Sequence, residues 1–330
     1  MNMKEELVTI AIPAYKVGFL KQAIYSALGQ TYTNLEVIVV DDKSPYDIKS
    51  VVNEFHDNRL FYYRNEENLG AKDPAGNWNK SLSLAHGAYF ALLCDDDLYE
   101  PNFIETMVSM ADKHPKANVF RARCAIVDKN GTTTEMYPSS PLWETSEDYM
   151  WHVFKGLRRQ TISEFLYRTE HIRKLGGYAR LPFAWNADYI SLFRFSKEGG
   201  IISTSSILVK FRMSGENISS RANEHGMEKM QANVDALRFS KELIKESGCE
   251  YLHLLEKECM TWKYHLDRNL LSSLGLKEAA GIFFKRNKFG VGAGVFFKSA
   301  ILALLNYMNK GKKYGKVLKD RNPLCVFNLS

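Results

Sequence analysis

The sequence predicts an α/β fold, a mostly parallel sheet covered by helices on both faces, and three observations carry that prediction. Apolar runs of strand length alternate with helix-spaced segments through the first third of the chain. The runs are apolar throughout instead of alternating with polar residues, as strands buried on both faces are. Polar residues of functional type gather just after the runs, at the strand ends where sheets of this kind bind their ligands.

The elements follow in order. Leu7 to Ile12 is a short β-branched run stopped by Pro13, a buried strand, and Phe19 to Leu28 has helical spacing. Leu35 to Val40 is a second strand that ends in Asp41, Asp42, Lys43 and Ser44, with Ile48 to Phe55 as the next helix. Leu60 to Tyr63 is a third strand, Trp78 to Ala85 a helix and Tyr89 to Leu93 a fourth strand. Beyond Pro101 the order is mixed. Phe103 to Ala111 reads as helix, Asn118 to Val127 as strand, Asp148 to Phe154 as helix and Thr161 to Tyr167 as strand. His171 to Leu175 is a short helix closed by Gly176 and Gly177, Tyr189 to Phe195 another, and Ile201 to Phe211 a strand. Met227 to Leu243 and Leu252 to Leu271 are helices with mixed faces. With no internal repeat or low-complexity linker between the halves, they are expected to share one sheet.

The chain has 330 residues, 45% hydrophobic and 25% charged, enough for one large or two small cores. Five cysteines at no metal-binding spacing, and a charged N-terminal stretch without a signal peptide's apolar region, lead to the expectation of a reducing cytoplasm. The net charge of +6 is uneven: Lys277 to Arg321 holds eleven basic and two acidic residues, +9, which leaves −3 for the rest. An acidic body with a basic tail argues against nucleic acid and for a local anionic partner, the headgroups of a membrane first. No GxGxxG follows the first strand and no GxxxxGK[ST] occurs, which removes dinucleotide oxidoreductases and P-loop NTPases.

Asp95, Asp96 and Asp97 directly follow the fourth strand. Three carboxylates at a buried strand end call for a cation, and such hard oxygen ligands suit Mg²⁺ or Mn²⁺ with a substrate's phosphates. A solvated acidic turn ahead of Pro101 is the alternative. Cys94 beside them is read as packing, with no His or Lys signal for thiolate chemistry.

Six short segments in order then carry a family resemblance: Ile12-Pro13-Ala14-Tyr15, Gln30-Thr31-Tyr32, Val39-Val40-Asp41-Asp42-Lys43-Ser44, Asn68-Leu69-Gly70, Asn77-Trp78-Asn79 and Asp95-Asp96-Asp97. Over roughly residues 7–215 the chain resembles the family 2 glycosyltransferases. The resemblance implies the GT-A fold, a Rossmann-like mostly parallel mixed sheet with helices on both faces, here with a C-terminal helical extension. It also implies inverting transfer of a sugar from a nucleotide-diphosphate donor, a UDP-sugar favoured, with a divalent metal. By the same resemblance Pro13, Ala14, Tyr15, Asp41, Asn68, Gly70, Asn79 and Asp95 line the donor nucleotide, and Asp96 and Asp97 hold the metal. The segment Asn186-Ala187-Asp188-Tyr189 matches the family's Glu-Asp pair, which makes Asp188 the base, with Trp185 a stacking platform for a sugar or a core residue. Lys210 to Ser214 matches the family's Tyr-Arg-X-His segment, with Arg212 a candidate diphosphate contact or a structural residue.

The chain departs from the family pattern at Cys94, Trp78, Ala187 and Ser214. Trp78 stands where many members carry an arginine, which leaves the metal, Lys72 or Lys80 to neutralise the diphosphate. These departures keep one alternative open, a non-catalytic nucleotide-sugar binding subunit acting as a membrane-associated scaffold. A sugar-phosphate nucleotidyltransferase would need a Gly-rich basic loop that Pro13-Ala14-Tyr15-Lys16 does not provide.

Three regions are expected: 1–105, the half binding nucleotide-sugar and metal; 106–220, the acceptor half; and 221–330, helical. Within the last, Gly281 to Met308 has Phe297, Ile301, Leu304 and Met308 on one helical face and flanking Lys and Arg, the pattern of a basic amphipathic helix in an anionic membrane interface, with a buried structural helix as the rival. Anionic membrane contact through 281–321 would make the protein peripheral on the cytoplasmic face, with a glycan or lipid-linked glycan as acceptor.

Overall fold

The computed structural model describes residues 6–70, 73–215 and 224–299. Strand and helix alternate as β1 (Val8–Ala14), α1 (Leu20–Leu28), β2 (Leu35–Asp41), α2 (Ile48–Asn53), β3 (Leu60–Arg64), α3 (Pro74–Leu84) and β4 (Tyr89–Leu92). The mixed part follows as β5 (Leu98–Tyr99), α4 (Phe103–Lys113), β6 (Val119–Val127), β7 (Thr133–Met136), β8 (Trp143–Glu144), α5 (Ser146–Phe154), β9 (Phe165–Arg168), α6 (Thr169–Lys174), α7 (Ala187–Phe195) and β10 (Ile201–Arg212). Helices α8 (Gly226–Ser247), α9 (Leu252–Ser273), α10 (Leu276–Phe284) and α11 (Arg286–Phe289) come last.

One ten-stranded sheet runs β3-β2-β1-β4-β9-β6-β10-β5, with β7 on β6 and β8 on β10. Parallel pairing joins β3, β2, β1 and β4, and joins β6 to β10. Strand β9 lies antiparallel between β4 and β6, so β1, β2, β3, β4, β6 and β10 all point one way and end on one edge. The sheet therefore spans both halves of the resembling region, as expected.

Continuous apolar strands are explained by burial on both faces. Val8, Ile10 and Ile12 of β1 share a cluster with Leu20, Ala23 and Ile24 of α1, while Ala11, Ile38, Val40 and Phe90, also fully buried, lie outside that cluster on the alternating side. Helix α3 packs on β1 and β2. Each such aliphatic side chain contributes about 1.5–3 kcal/mol on burial, which fixes register and so fixes where the strands end.

The chain divides into two units, residues 1–149 with 159–215, and residues 150–158 with 216–330. The first holds the sheet. The second holds a helical core in which Met230, Leu270, Leu271, Ile282, Phe289, Val291 and Val295 pack together.

Two sequence expectations are corrected. Thr161 to Glu164 is not strand: Ile162–Glu164 is a single 3₁₀ turn with a Thr161/Glu164 capping box, and β9 starts only at Phe165. The stretch from Gly281 is not one continuous helix. It breaks after α10 and again at Gly290, whose φ of +62° is left-handed, before helical residues 293–299. Its apolar residues also divide, with Ile282, Phe289 and Val295 buried and Phe284 and Phe297 82% and 67% exposed. Ile301, Leu304, Met308 and the basic residues from Lys310 onward lie outside the described residues.

Candidate functional site

The strand ends that the sequence singled out meet on one edge and are tied together by hydrogen bonds. After β4 the three aspartates diverge into three environments. Asp95 turns Oδ2 toward the end of β1 and accepts the backbone N–H groups of Tyr15 and Lys16 at 2.9 and 2.8 Å. Asp96 receives the Lys16 ammonium on Oδ2 at 2.7 Å and the Ser214 hydroxyl at 3.1 Å. Lys16 Nζ also stands 3.2 Å from Asp95 Oδ1. Burial opposes the charge on Lys16, and Asp95 and Asp96 more than offset it, so its pKa is held above the ordinary value. Burial and neighbouring charge raise Asp95 despite Lys16.

Asp97 is fully buried and accepts from Ser163 Oγ at 2.7 Å and from the Arg212 N–H at 3.0 Å. Burial first, and the Asp96 charge second, push its carboxyl well above the usual range. The sequence reading paired Asp97 with Asp96 as a ligand. In the structure its two oxygens each accept one bond and brace the turn against β10 and the Ile162–Glu164 turn. Burial also raises the Cys94 thiol, which fits the packing role read for it.

For Arg212 the sequence left a diphosphate contact and a structural role open, and its hydrogen bonds in the structure are of the structural kind. Its guanidinium is buried and donates to the Asp96 carbonyl at 3.0 Å, to Gln22 Oε1 at 2.8 Å and, more loosely, to the carbonyls of Asp128 and Lys129, with Cζ 4.3 Å from the Phe19 ring centroid. Donors committed in this way hold the triplet's backbone and leave little for a ligand.

At the end of β2, Asp41 is buried and accepts the Ser44 N–H at 2.8 Å, the Tyr62 hydroxyl at 2.6 Å and the Arg64 guanidinium. Ser44 Oγ in turn donates to the Tyr15 carbonyl at 2.7 Å. Tyr15 itself is 41% exposed beside buried Ala14 and half-buried Pro13. Asp42 organises the next loop, accepting from Asn65 Nδ2 at 2.8 Å, Leu69 N at 2.9 Å and Gly70 N at 2.6 Å. A Cβ at Gly70 would stand 2.7 Å from Asp42 Oδ2, which explains a glycine there, next to half-buried Asn68. Asn79 is a strut: its amide oxygen accepts the Tyr178 N–H at 2.7 Å and its NH₂ donates to the Tyr178 carbonyl at 2.9 Å. Both ends of the Asn79 amide are thus bonded to one distant backbone, with one N–H and one lone pair left for the nucleotide contact that the resemblance implied. Trp78 beside it packs edge-on against the Tyr178 ring, with centroids 5.6 Å apart, and Lys72 lies outside the described residues.

Asp188 stands in the first turn of α7, after a strained lead-in. Phe183, Ala184 and Asn186 all have positive φ, at 55°, 50° and 65°, a conformation that costs side chains other than glycine energy and that collects at functional sites. Trp185 lies within this lead-in, half-buried. Burial pushes the Asp188 carboxyl up to about 6, with Gln160 Nε2 donating to it at 3.2 Å. Gln160 Oε1 accepts the Tyr149 hydroxyl at 2.7 Å, which fixes the orientation of the amide. Gln160 is three residues before Ser163, the partner of Asp97, so a segment of about 10 Å at full extension anchors both carboxylates. Glu164 in that segment is bonded by Arg121 Nε at 2.8 Å.

Sequence reasoning missed Lys16, Arg64, Gln160 and Ser163. Lys16 and Arg64 sit at or just past strand ends on the same edge, so the rule that located the aspartates could have found them. Gln160 and Ser163 carried only the Thr161-x-x-Glu164 capping signature.

Fold and site define a GT-A architecture, a mixed sheet with a carboxylate-bearing edge, and the comparisons agree. Residues 9–175 match the family model described as "Glycosyl transferase family 2". The S. aureus TarS 1–349 structure in complex with UDP-GlcNAc has a TM-score of 0.64 at 16% identity, over 95% of this chain and 92% of that one. The mannosyltransferase PcManGT from Pyrobaculum calidifontis, in complex with GDP-Man and Mn²⁺, has a TM-score of 0.54 at 17% identity, over 94% and 89%. An uncharacterized glycosyltransferase of Rickettsia conorii is 29% identical over 77% of this chain and 42% of its own length, so the chain spans under half of that relative. The Escherichia coli UDP-Glc:alpha-D-GlcNAc-diphosphoundecaprenol beta-1,3-glucosyltransferase WfgD is 28% identical over 66% of this chain and 81% of its own. The chain belongs to glycosyltransferase family 2.

Proposed function

We propose that this chain transfers a sugar, with inversion, from a nucleotide-diphosphate donor, a UDP-sugar first, to a hydroxyl of a glycan or lipid-linked glycan in surface polysaccharide or glycolipid assembly. The carrying observation is Asp188, a carboxyl raised to about 6 by burial and anchored, through Gln160 and Ser163, on the segment that braces the aspartate triplet. Such a carboxylate is ionised at neutral pH yet basic enough to take the acceptor's proton. The acceptor oxygen bonds to the anomeric carbon as the bond from that carbon to the diphosphate oxygen breaks. The electron pair leaves with the nucleotide diphosphate, and the proton stays on Asp188.

The donor set suits Mg²⁺ or Mn²⁺: two adjacent carboxylates, a hydroxyl on one of them, and an ammonium already drawn into the gap as a stand-in cation. Asp96 would be the ligand with Asp95 beside it, and Asp97 would support from behind. The ion, when bound, supplies charge neutralisation for the leaving diphosphate. Pro13, Ala14, Tyr15, Asp41, Asn68 and Gly70 would border the nucleotide, with Arg64 added to them, and Trp185 the acceptor or the sugar. The regions 1–105 and 106–220 would then be the donor and acceptor halves. UDP-sugars and lipid-linked acceptors are supported by what the E. coli relative and the TarS structure name.

Among the described residues no helix is long and apolar enough to cross a membrane. A peripheral place on the cytoplasmic face belongs to the same proposal, and exposed Phe284 and Phe297 among Lys285, Lys288 and Lys298 suit contact with an anionic surface. The test of the donor reading is a thermal-shift series with UDP, GDP and dTDP sugars, with and without Mn²⁺. One nucleotide should shift the melt only with metal, and Asp96→Ala should lose that shift. An Asp96→Ala protein with unchanged Mn²⁺-dependent donor binding would sink the assignment.

A further inference from the structure

We infer that Lys16 is a removable internal counter-ion, holding the cation position of the aspartate triplet until a divalent ion displaces it. This rests on the metal reading proposed above. Residue 16 holds the triplet by two separate means. Its backbone N–H, with that of Tyr15, is bonded to Asp95 Oδ2 and fixes the loop after β1. Its ammonium lies between Asp96 Oδ2 and Asp95 Oδ1, at 2.7 and 3.2 Å, where a hard cation would sit.

The side chain can therefore leave without releasing the loop. It is also placed to leave: it is 24% exposed, whereas the Arg212 side chain, bonded to the Asp96 carbonyl, is sealed. An ammonium and a divalent ion held by the same carboxylates repel each other at close range, so they compete for that gap. Binding of the divalent ion thus requires Lys16 to swing out toward solvent. An arriving nucleotide diphosphate offers the freed ammonium a new partner, so metal and nucleotide favour each other's binding.

The measurement is Mn²⁺ binding to the full chain without nucleotide, followed by the loss of the free-ion EPR signal, for wild type, Lys16→Met and Lys16→Arg. If Lys16 holds the gap nine-tenths of the time, Lys16→Met should tighten Mn²⁺ binding about tenfold, with Lys16→Arg still weak. Thermal melts supply the second readout: without metal Lys16→Met should melt below wild type, and Mn²⁺ should raise it by more than it raises wild type. Should Lys16→Met prove insoluble, Lys16→Gln removes the charge and keeps a hydrogen bond. Equal or weaker Mn²⁺ binding by the neutral variants overturns the inference and leaves the metal reading standing. No Mn²⁺ binding by any of the proteins, with or without UDP, overturns both.

Discussion

Asp188→Asn should make the protein more stable and nearly inactive at once, and the gain in stability should depend on pH. Burial raises the Asp188 carboxyl from 3.8 to about 6. A rise of that size corresponds to about 3 kcal/mol, discounted to roughly 2 kcal/mol because water reaches part of the half-buried side chain. The folded protein holds this proton more tightly than the unfolded chain. The contribution is therefore fully favourable below about pH 4 and is lost as pH rises through about 6. Asparagine cannot ionise, and its amide oxygen can still accept from Gln160. Melts of the two proteins at matched pH should nearly coincide at pH 4 and separate above pH 6, with the variant higher by about 3 °C for a chain of 330 residues. Sugar transfer should fall by about 10²–10⁴-fold, the usual share of a general base, with donor affinity unchanged. Wild-type turnover should rise with pH through about 6. Melting curves that stay a constant distance apart from pH 4 to 8 would show that Asp188 titrates as a solvated carboxylate. A variant with wild-type turnover would remove it as the base.

Arg212→Met should cost about 1–3 kcal/mol in denaturant unfolding, because it orphans the Asp96 carbonyl inside the core. Arg212→Lys should not rescue it, and a surface-like loss under about 0.5 kcal/mol would contradict the strut role. Gly70→Ala pushes a methyl to within 2.7 Å of Asp42 Oδ2 and should weaken donor binding about tenfold by displacing the loop, against Gly18→Ala, where nothing lies within 4 Å, as control. Equal donor affinity in titration calorimetry would detach that loop from the site. Replacing exposed Phe284 and Phe297 with serine should lower binding to anionic vesicles by about 10–100-fold with the melt unchanged, and undiminished sedimentation with vesicles would end the membrane reading.

Strands β1, β2 and β4 were legible because a strand buried on both faces has no other way to read than as a continuous apolar run. Strands β5 and β8 were not, being two residues each, and β7 is exposed throughout, so none carries a periodic signal. Thr161 to Tyr167 misled because Thr, Ile and Phe favour strand locally, while the capping box within it was the truer sign. The aspartates were legible as a site, but their division of labour was not. Adjacent residues leaving a strand point in different directions, and the partners that separate them, Lys16, Ser163 and Arg212, lie 80, 66 and 115 residues away from the aspartates they bond.

The motif residues divide in a way that the sequence alone could not express. Gln30 bonds the Glu100 carbonyl and the Ile104 N–H, Asn77 accepts from Asn65, Asn79 grips Tyr178 and Asp42 holds the Asn68-Leu69-Gly70 loop. Each is polar, mostly buried and bonded to backbone or amide far along the chain, which is the behaviour of scaffolding. A buried polar group without a partner costs about 1–3 kcal/mol, so these positions tolerate few substitutes whatever the substrate is. That explains how the segments can mark a family without specifying a sugar. Among the described residues, groups with removable partners or solvent access include Lys16, Tyr15 and Arg64, together with the Asp95, Asp96 and Asp188 carboxylates. Groups of this kind can exchange a protein partner for a ligand, which makes them and the loops beside them the first places to look for choice of donor and acceptor.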